Sequence, residues 1–293
     1  MTDTIVVIAA GEMGAGIGKR LHERGARVLT SLRGRGAGSA ARARQAGMID
    51  IEDDGGLIAD ADFILSVVPP GQALALAERL KAPLANAKRN PIYVDCNAIA
   101  PESAKHIAEV LGGLPMRFVD GGIIGGPPNG AYSPSLYVSG ANAADAMRIS
   151  NYGIRIRQLD GPIGMASALK MSYGGLTKGF TAIGAAIMLG ATRAGCAEAL
   201  VQELSESRPQ DLAWLSRQVP SMFPKAYRWV AEMEEISDFL GDDTASHDVY
   251  RGIARLYERL ASGQDGSSAA AKQEIAALAA FCAMPVPVKA RSA

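Results

Sequence analysis

Ile5-Val-Val-Ile-Ala-Ala10 is an unbroken apolar run that opens with four β-branched residues in succession. A short run of this kind, apolar on both faces, is a buried strand of a parallel sheet. Gly11-Glu-Met-Gly14 follows without a spacer. Residues 15–24 then read as a helix that stops at Gly25, and Arg27-Val-Leu-Thr-Ser-Leu32 is the next strand. This strand–turn–helix–strand unit commits the first half of the chain to an α/β sheet. A glycine turn in that position sets backbone N–H groups and a helix N-terminus against a pyrophosphate. Ala10, Gly11, Glu12, Met13 and Gly14 are therefore the expected phosphate-side contacts. The full fingerprint is Gly-x-Gly-x-x-Gly, and Ala9 stands at its first glycine. The competing reading is a tight turn with no ligand.

Sites for NAD usually carry an acid at the end of the second strand, where it holds the ribose hydroxyls. The segment Thr30-Ser-Leu-Arg33-Gly-Arg35-Gly-Ala-Gly-Ser39 has no acid but two arginines and two serines. A 2′-phosphate needs cations and hydrogen-bond donors, so NADP is favoured over NAD, with Arg33 as its best single candidate. Alternatively, Arg33 and Arg35 only decorate a loop. The wider stretch from Lys19 to Arg44 holds eight lysines or arginines and one acid, Glu23. Such a patch marks either a bound anion or a solvated face.

Further strands are expected at Asp62-Phe-Ile-Leu-Ser-Val-Val-Pro-Pro70, Pro91-Ile-Tyr-Val-Asp95 and Met116-Arg-Phe-Val-Asp120, with helices over residues 71–84 and 102–111. Ligands bind at the carboxyl ends of such strands, which puts Val68, Pro69, Asp95 and Asn97 near the cofactor. Residues 121–130 read as a loop rich in glycine and proline, set to face the nicotinamide or the substrate or to serve as a plain turn. Residues 136–139 and 154–157 alternate weakly and would close the sheet.

From Gly164 to Leu189 the chain has no proline, and after Lys178 it has no charge before Arg193. Leu169, Leu176, Phe180, Ile183 and Ile187 recur at helical spacing. Gly174, Gly175, Gly179 and Gly184 each weaken a helix by about 1 kcal/mol relative to alanine, so the helix is expected to be packed on all sides. Lys170, Tyr173, Gly174 and Thr177 share one face. Lys170 is then either a proton donor aimed into a cleft or a lysine that snorkels out of an apolar helix. Beyond it only helices are expected, over residues 197–206, 210–219, 221–240, 246–260 and 268–282, with a loose tail at 284–293. The expected architecture is a doubly wound Rossmann domain over residues 1–163, joined by the long central helix to an all-α domain over residues 164–293.

Zero formal net charge argues against nucleic acid as the main partner. Cys96, Cys196 and Cys282 are scattered, with no Cys-x-x-Cys pair, so neither a disulfide framework nor a zinc site is suggested. No metal is expected. No apolar run has membrane-helix character, and no signal segment is read at the N-terminus. The expectation is a soluble cytoplasmic protein with no membrane or nucleic-acid partner.

Several motifs together resemble the β-hydroxyacid dehydrogenase superfamily, which includes 6-phosphogluconate and 3-hydroxyisobutyrate dehydrogenases. Gly11-Glu-Met-Gly14 is similar to its glycine loop, and Ser66-Val-Val-Pro-Pro70 to the loop over the cofactor. Asp120-Gly-Gly-Ile-Ile-Gly-Gly126 stands at its Asp-Ala-Pro-Val-Ser-Gly-Gly, and Gly164-Met-Ala-Ser-Ala-Leu-Lys170 resembles the approach to its catalytic lysine. Residues 170–179 and 224–235 resemble a branch with a C-terminal domain of unassigned function. The resemblance implies hydride transfer between NADP and a 3-hydroxy acid or related secondary alcohol or ketone. Lys170 would be the general acid/base, its pKa lowered by burial. It also implies interlocked all-α domains in a homodimer, with Trp214, Leu215, Met222, Phe223 and Trp229 as apolar faces. Ile124 replaces the expected substrate-binding serine and Gly174 an expected asparagine. Ile123, Ile124, Gly125, Tyr173, Gly174 and Lys178 are thus the expected substrate contacts, in a more apolar pocket. Two alternatives stand beside this reading: an imine reductase, whose relatives typically lack the lysine, and a nucleotide-binding protein without catalysis.

Overall fold

The computed structural model describes residues 2–285, so the expected tail lies outside the described residues from 286 on. Elements follow in the order β1 (Thr4–Ile8), α1 (Glu12–Glu23), β2 (Arg27–Thr30), α2 (Ala37–Gln45), β3 (Ile49–Asp50), α3 (Asp54–Ile58) and β4 (Phe63–Ser66). Next come α4 (Ala73–Ala85), β5 (Ile92–Asp95), α5 (Pro101–Val110), β6 (Arg117–Ile124), β7 (Ser135–Ser139), α6 (Ala143–Ala146) and β8 (Arg155–Gln158). The helices α7 (Met165–Arg193), α8 (Ala197–Ser207), α9 (Pro209–Met222), α10 (Ala226–Phe239), α11 (Thr244–Gln264) and α12 (Ala269–Cys282) complete the described chain.

The strands make one sheet in the order β3-β2-β1-β4-β5-β6-β7-β8. β1 to β6 run parallel, β7 is antiparallel to β6, and β8 is parallel to β7. The strand order reverses between β1 and β4, the switch point at which doubly wound sheets open a ligand crevice. Side chains of successive strand residues point to opposite faces, and the cores follow that alternation. Ile5, Val7, Phe63, Leu65, Ile92 and Val94 pack on one face, with Ile17 and Leu21 of α1. Val6, Ile8, Ile64 and Tyr93 pack on the other, with Leu76 and Leu80 of α4.

β6 corrects one expectation. Residues 121–124 continue the strand instead of opening the loop, pairing with β7 from Asp120↔Ser139 to Ile124↔Ser135. Their glycines serve close approach within a strand. A Cβ at Gly121 would stand 2.7 Å from the Asp95 carbonyl oxygen, and one at Gly122 would stand 2.7 Å from that of Ala166. α1 begins at Glu12 rather than Ala15, so the glycine turn itself forms the first helical turn.

The chain divides into two compact units, residues 1–173 and 174–293, with the division inside α7. In the second unit the α7 glycines face other helices to different degrees. A Cβ at Gly184 would collide with Leu215 Cδ2, and Cβ atoms at Gly175 and Gly179 would each stand 3.1 Å from the Tyr250 hydroxyl. At Gly174 the nearest atom is Ile236 Cδ1, at an ordinary 3.6 Å. The expectation of a helix packed on all sides is corrected, because Leu176, Phe180, Ile183 and Ile187 are exposed. Leu215, Met222 and Phe223, expected on an open apolar face, are instead buried core residues. Trp214 stacks on Phe180 and Trp229 meets Tyr257 edge-on, and both tryptophans are half-buried. Among the described residues no helix is long and apolar enough to cross a membrane.

Candidate active site

The carboxyl ends of β1 and β4 lie side by side at the switch point of the sheet, where a dinucleotide is expected. Gly11 is the residue before α1 and lends it no side-chain cap, and Gly11 and Glu12 are exposed. The first N–H groups of a helix have no acceptor within it, and together with the helix dipole they suit a phosphate. Gly14 is required here, since a Cβ would run into the Ala9 carbonyl oxygen. Ala10 is buried, and its carbonyl accepts from Arg42 Nε at 3.1 Å. α2 therefore holds the glycine turn in place, a role that the basic run of the sequence did not distinguish. Met13 is half-buried against the sheet core. These residues fit a bound dinucleotide phosphate.

At the end of β4, Val68 is buried and Pro69 exposed. Asn97, after β5, is 2% exposed, and its side chain is spent on the protein. Its Oδ1 accepts from Val68 N at 2.7 Å, and its Nδ2 donates to Ser66 Oγ at 2.8 Å. Asn97 thus shapes the loop after β4, and its side chain is turned to the protein. Arg33 is exposed, but its surroundings are less basic than the loop sequence suggests. The fold delivers acids from elsewhere: Asp50 Oδ1 accepts from Leu32 N at 2.9 Å, and Asp54 lies 3.9 Å from Arg33 and 3.3 Å from Arg79.

Asp120 lies at the centre of the lysine side. It is fully buried at the middle of β6, and five hydrogen bonds converge on it. Its Oδ2 accepts from Ser139 Oγ at 2.8 Å and from the backbone N–H groups of Gly164, Ala166 and Ser167 at 2.9, 2.9 and 3.2 Å. Its Oδ1 accepts from Ser167 Oγ at 2.6 Å. A carboxylate at a helix N-terminus satisfies orphan donors and the dipole together. Three residues along β6 the Ile123 carbonyl accepts from Lys170 Nζ at 2.5 Å, three residues along α7 from Ser167. Gly122, between them, allows the approach, since a Cβ there would stand 3.1 Å from Lys170 Cβ. Strand and helix are thus joined at two points, and the half-buried lysine bends to the strand instead of snorkelling away from it.

Asp95 neighbours Asp120 in register. It is almost fully buried, its Oδ1 accepts from Asn97 N at 3.0 Å, and its Oδ2 has no partner. Burial above all, with help from the Asp120 charge, pushes its carboxyl up to about 7. Burial likewise raises the Tyr93 phenol and the Cys96 thiol.

The remaining candidates divide between the two units. The Ile123 side chain is core, so only its carbonyl belongs to the site. Ile124 is half-buried, while Gly125 and Tyr173 are exposed. Gly174 and Lys178 belong to the second unit. There Lys178 forms an ion pair with Glu232, lies 5.3 Å from the Trp229 ring centre, and spends its charge inside the helical unit.

An uncharacterized 28.5 kDa protein in the 7S RNA 5′ region of Methanothermus fervidus is 27% identical over 214 residues, 73% of this chain and 81% of that protein. A solved conserved protein of unknown function, described as structurally similar to 3-hydroxyacid dehydrogenases, is 28% identical with a TM-score of 0.65, covering 88% of this chain and 99% of its own. The 3-hydroxyisobutyrate dehydrogenase of Mycobacterium tuberculosis, solved with L-serine, shares the fold at 18% identity and a TM-score of 0.66, over 89% of this chain and 94% of its own. Residues 191–260 match a domain of unknown function, DUF1932. With residues 4–150 matching the NAD binding domain of 6-phosphogluconate dehydrogenase, the chain belongs to that family of dinucleotide-binding proteins.

Proposed function

We propose that the protein is an NADP-dependent oxidoreductase that moves a hydride between nicotinamide and a 3-hydroxy acid or a related secondary alcohol or ketone. The observation that carries this reading is the seating of Lys170. Its ammonium nitrogen is drawn to the end of β6, on a helix whose start is capped by a buried carboxylate. A preorganised cation of this kind stabilises the charge that builds on a carbonyl oxygen during reduction. Lys170 then protonates that oxygen, and in the oxidative direction its neutral amine takes the hydroxyl proton. The nicotinamide, when bound, supplies or accepts the hydride. The fixed lysine is also what favours C–O over C=N chemistry.

The preference for NADP is supported by Arg33. Arg79 offsets Asp54, so the group of three keeps one positive charge. Ile124 and Gly125 border the substrate in this reading, and without a serine hydroxyl they favour an alkyl or aryl group over a bare carboxylate. The working form is a homodimer, supported by the exposed apolar stripe on α7.

A panel of 3-hydroxy and 3-keto acids assayed with NADP(H) and NAD(H) at the nicotinamide absorbance tests the reading. Turnover with NADP(H) is expected, and Arg33→Ala should weaken NADPH by about 1–3 kcal/mol, the scale of a charge-assisted contact, with NADH little changed. Equal affinity of the wild type for both cofactors would sink the NADP preference. Binding without turnover of any compound would favour a nucleotide-binding protein, and turnover of cyclic imines alone would favour imine reduction.

A further inference from the structure

Arg20 is the one lysine or arginine among the buried described residues. It lies on α1, and all three of its acceptors are backbone carbonyls. Nη1 donates to Gly153 O at 3.1 Å, and Nη2 donates to Gly130 O at 2.7 Å and to Tyr132 O at 3.0 Å. One turn earlier on the same face Gly16 has no side chain, and a Cβ there would stand 3.0 Å from Pro127 Cβ and 3.2 Å from Pro128 Cδ. α1 therefore lies along residues 127–132, the loop into which β6 runs. The loop is closed on itself. Asn129 and Tyr132 exchange backbone hydrogen bonds of 3.1 and 2.8 Å, and Gly126 N donates to the Tyr132 hydroxyl at 3.2 Å.

The opposite end of α1 is the uncapped start at Gly11. One helix thus presents its N-terminus to the dinucleotide and, from Arg20, holds the loop that follows Ile123 and Ile124. We propose that Arg20 is a positioning residue that makes the seating of this loop depend on the bound cofactor. The inference rests on the dinucleotide reading given above. A helix of this length moves as a rod, so ordering its first turn also orders a guanidinium two turns on. That guanidinium is buried and donates to three carbonyls at once, so it moves with all of them. The loop is then firm when cofactor is present and looser when it is absent.

Amide hydrogen exchange with NADPH as the probe tests this on the full chain. In the wild type, saturating NADPH should slow exchange at residues 11–15 and also at Gly126, Asn129 and Tyr132, by about threefold or more, as expected when local opening is suppressed. Arg20→Gln should still bind NADPH and protect residues 11–15 but lose the added protection at 126–132. A merely structural arginine would loosen the loop equally with and without NADPH. Retained NADPH-dependent protection in the variant overturns the proposal. So does a wild type in which NADPH protects residues 11–15 alone, an outcome that leaves the cofactor reading intact. Failure of the wild type to bind either dinucleotide overturns both. If circular dichroism shows Arg20→Gln unfolded, Arg20→Lys decides, because it keeps the charge and the stem but a single ammonium cannot replace a guanidinium fork that donates to three carbonyls. The same loss is expected there, and retention again overturns the proposal.

Discussion

Lys170 and Asp95 each owe their expected behaviour to what surrounds them. For Lys170→Ala, kcat should fall by roughly 10²–10⁴-fold, the range for a positioned acid/base, with NADPH affinity unchanged in a fluorescence titration. Near-full turnover would remove the lysine from the mechanism. Asp95 acts on stability. Below about pH 4, the ordinary carboxylate value, it is protonated in the folded and the unfolded chain alike. As pH rises the unfolded chain ionises it first, while the folded chain holds the proton until about 7. Its cost to the fold therefore grows between those limits and levels off above them, approaching about 4 kcal/mol for three pH units of separation. Asp95→Asn keeps an oxygen for the Asn97 N–H group and cannot ionise. Its stability relative to wild type should rise by about 1–3 kcal/mol between pH 5 and pH 8, read from thermal midpoints. A difference that does not vary with pH would show that Asp95 ionises normally.

The pairing of β6 with α7 fixes where Lys170 stands, and Asp120 is its main fastening. Asp120→Ala leaves Gly164, Ala166 and Ser167 N–H groups and two hydroxyls buried without that acceptor, so stability should drop by about 3–5 kcal/mol. Denaturant melts that show a loss under 1 kcal/mol would mean water replaces the carboxylate easily. Little of this fastening was legible in the chain, because Asp120, Ser139 and Ser167 come together only through the crossover from β6 to α7. The parallel strands were legible, since runs such as Ile5–Ile8 bury both faces and declare it in four residues. β6 was misjudged because Gly121 and Gly122 read as a turn when they were strand positions under close neighbours. Arg20 was hidden in a basic run that looks the same solvated or buried. One signal was there: Gly16 and Arg20 fall at i and i+4 on one helix face. The acids near Arg33 came from β3 and α3, beyond any local window.

At the scale of the whole molecule the unanswered surface is α7. Its exposed positions between Tyr173 and Gly190 are Tyr173, Leu176, Phe180, Ile183, Ala186 and Ile187, and none is charged. Leu176 is 76% exposed, Ile183 53% and Ile187 60%. The stripe from Leu176 to Ile187 is about 16 Å long at 1.5 Å per residue. Water-facing helices carry charge on that face, and an uncharged one marks a contact. A second copy suits it best, because a two-fold axis across the stripe would set each apolar residue against another with no charge to bury unpaired. A stable interface buries about 1,600 Å² in total, so the stripe would be its centre and not its whole extent. Light scattering at micromolar concentration should return the mass of two chains. Leu176→Asp with Ile183→Asp should return the mass of one, since two buried carboxylates in each copy would face each other without partners. The positions are exposed in the single chain, so far-ultraviolet circular dichroism of the double variant should stay helical. A wild type that scatters as one chain, or a double variant that still scatters as two, would move the contact elsewhere or remove it.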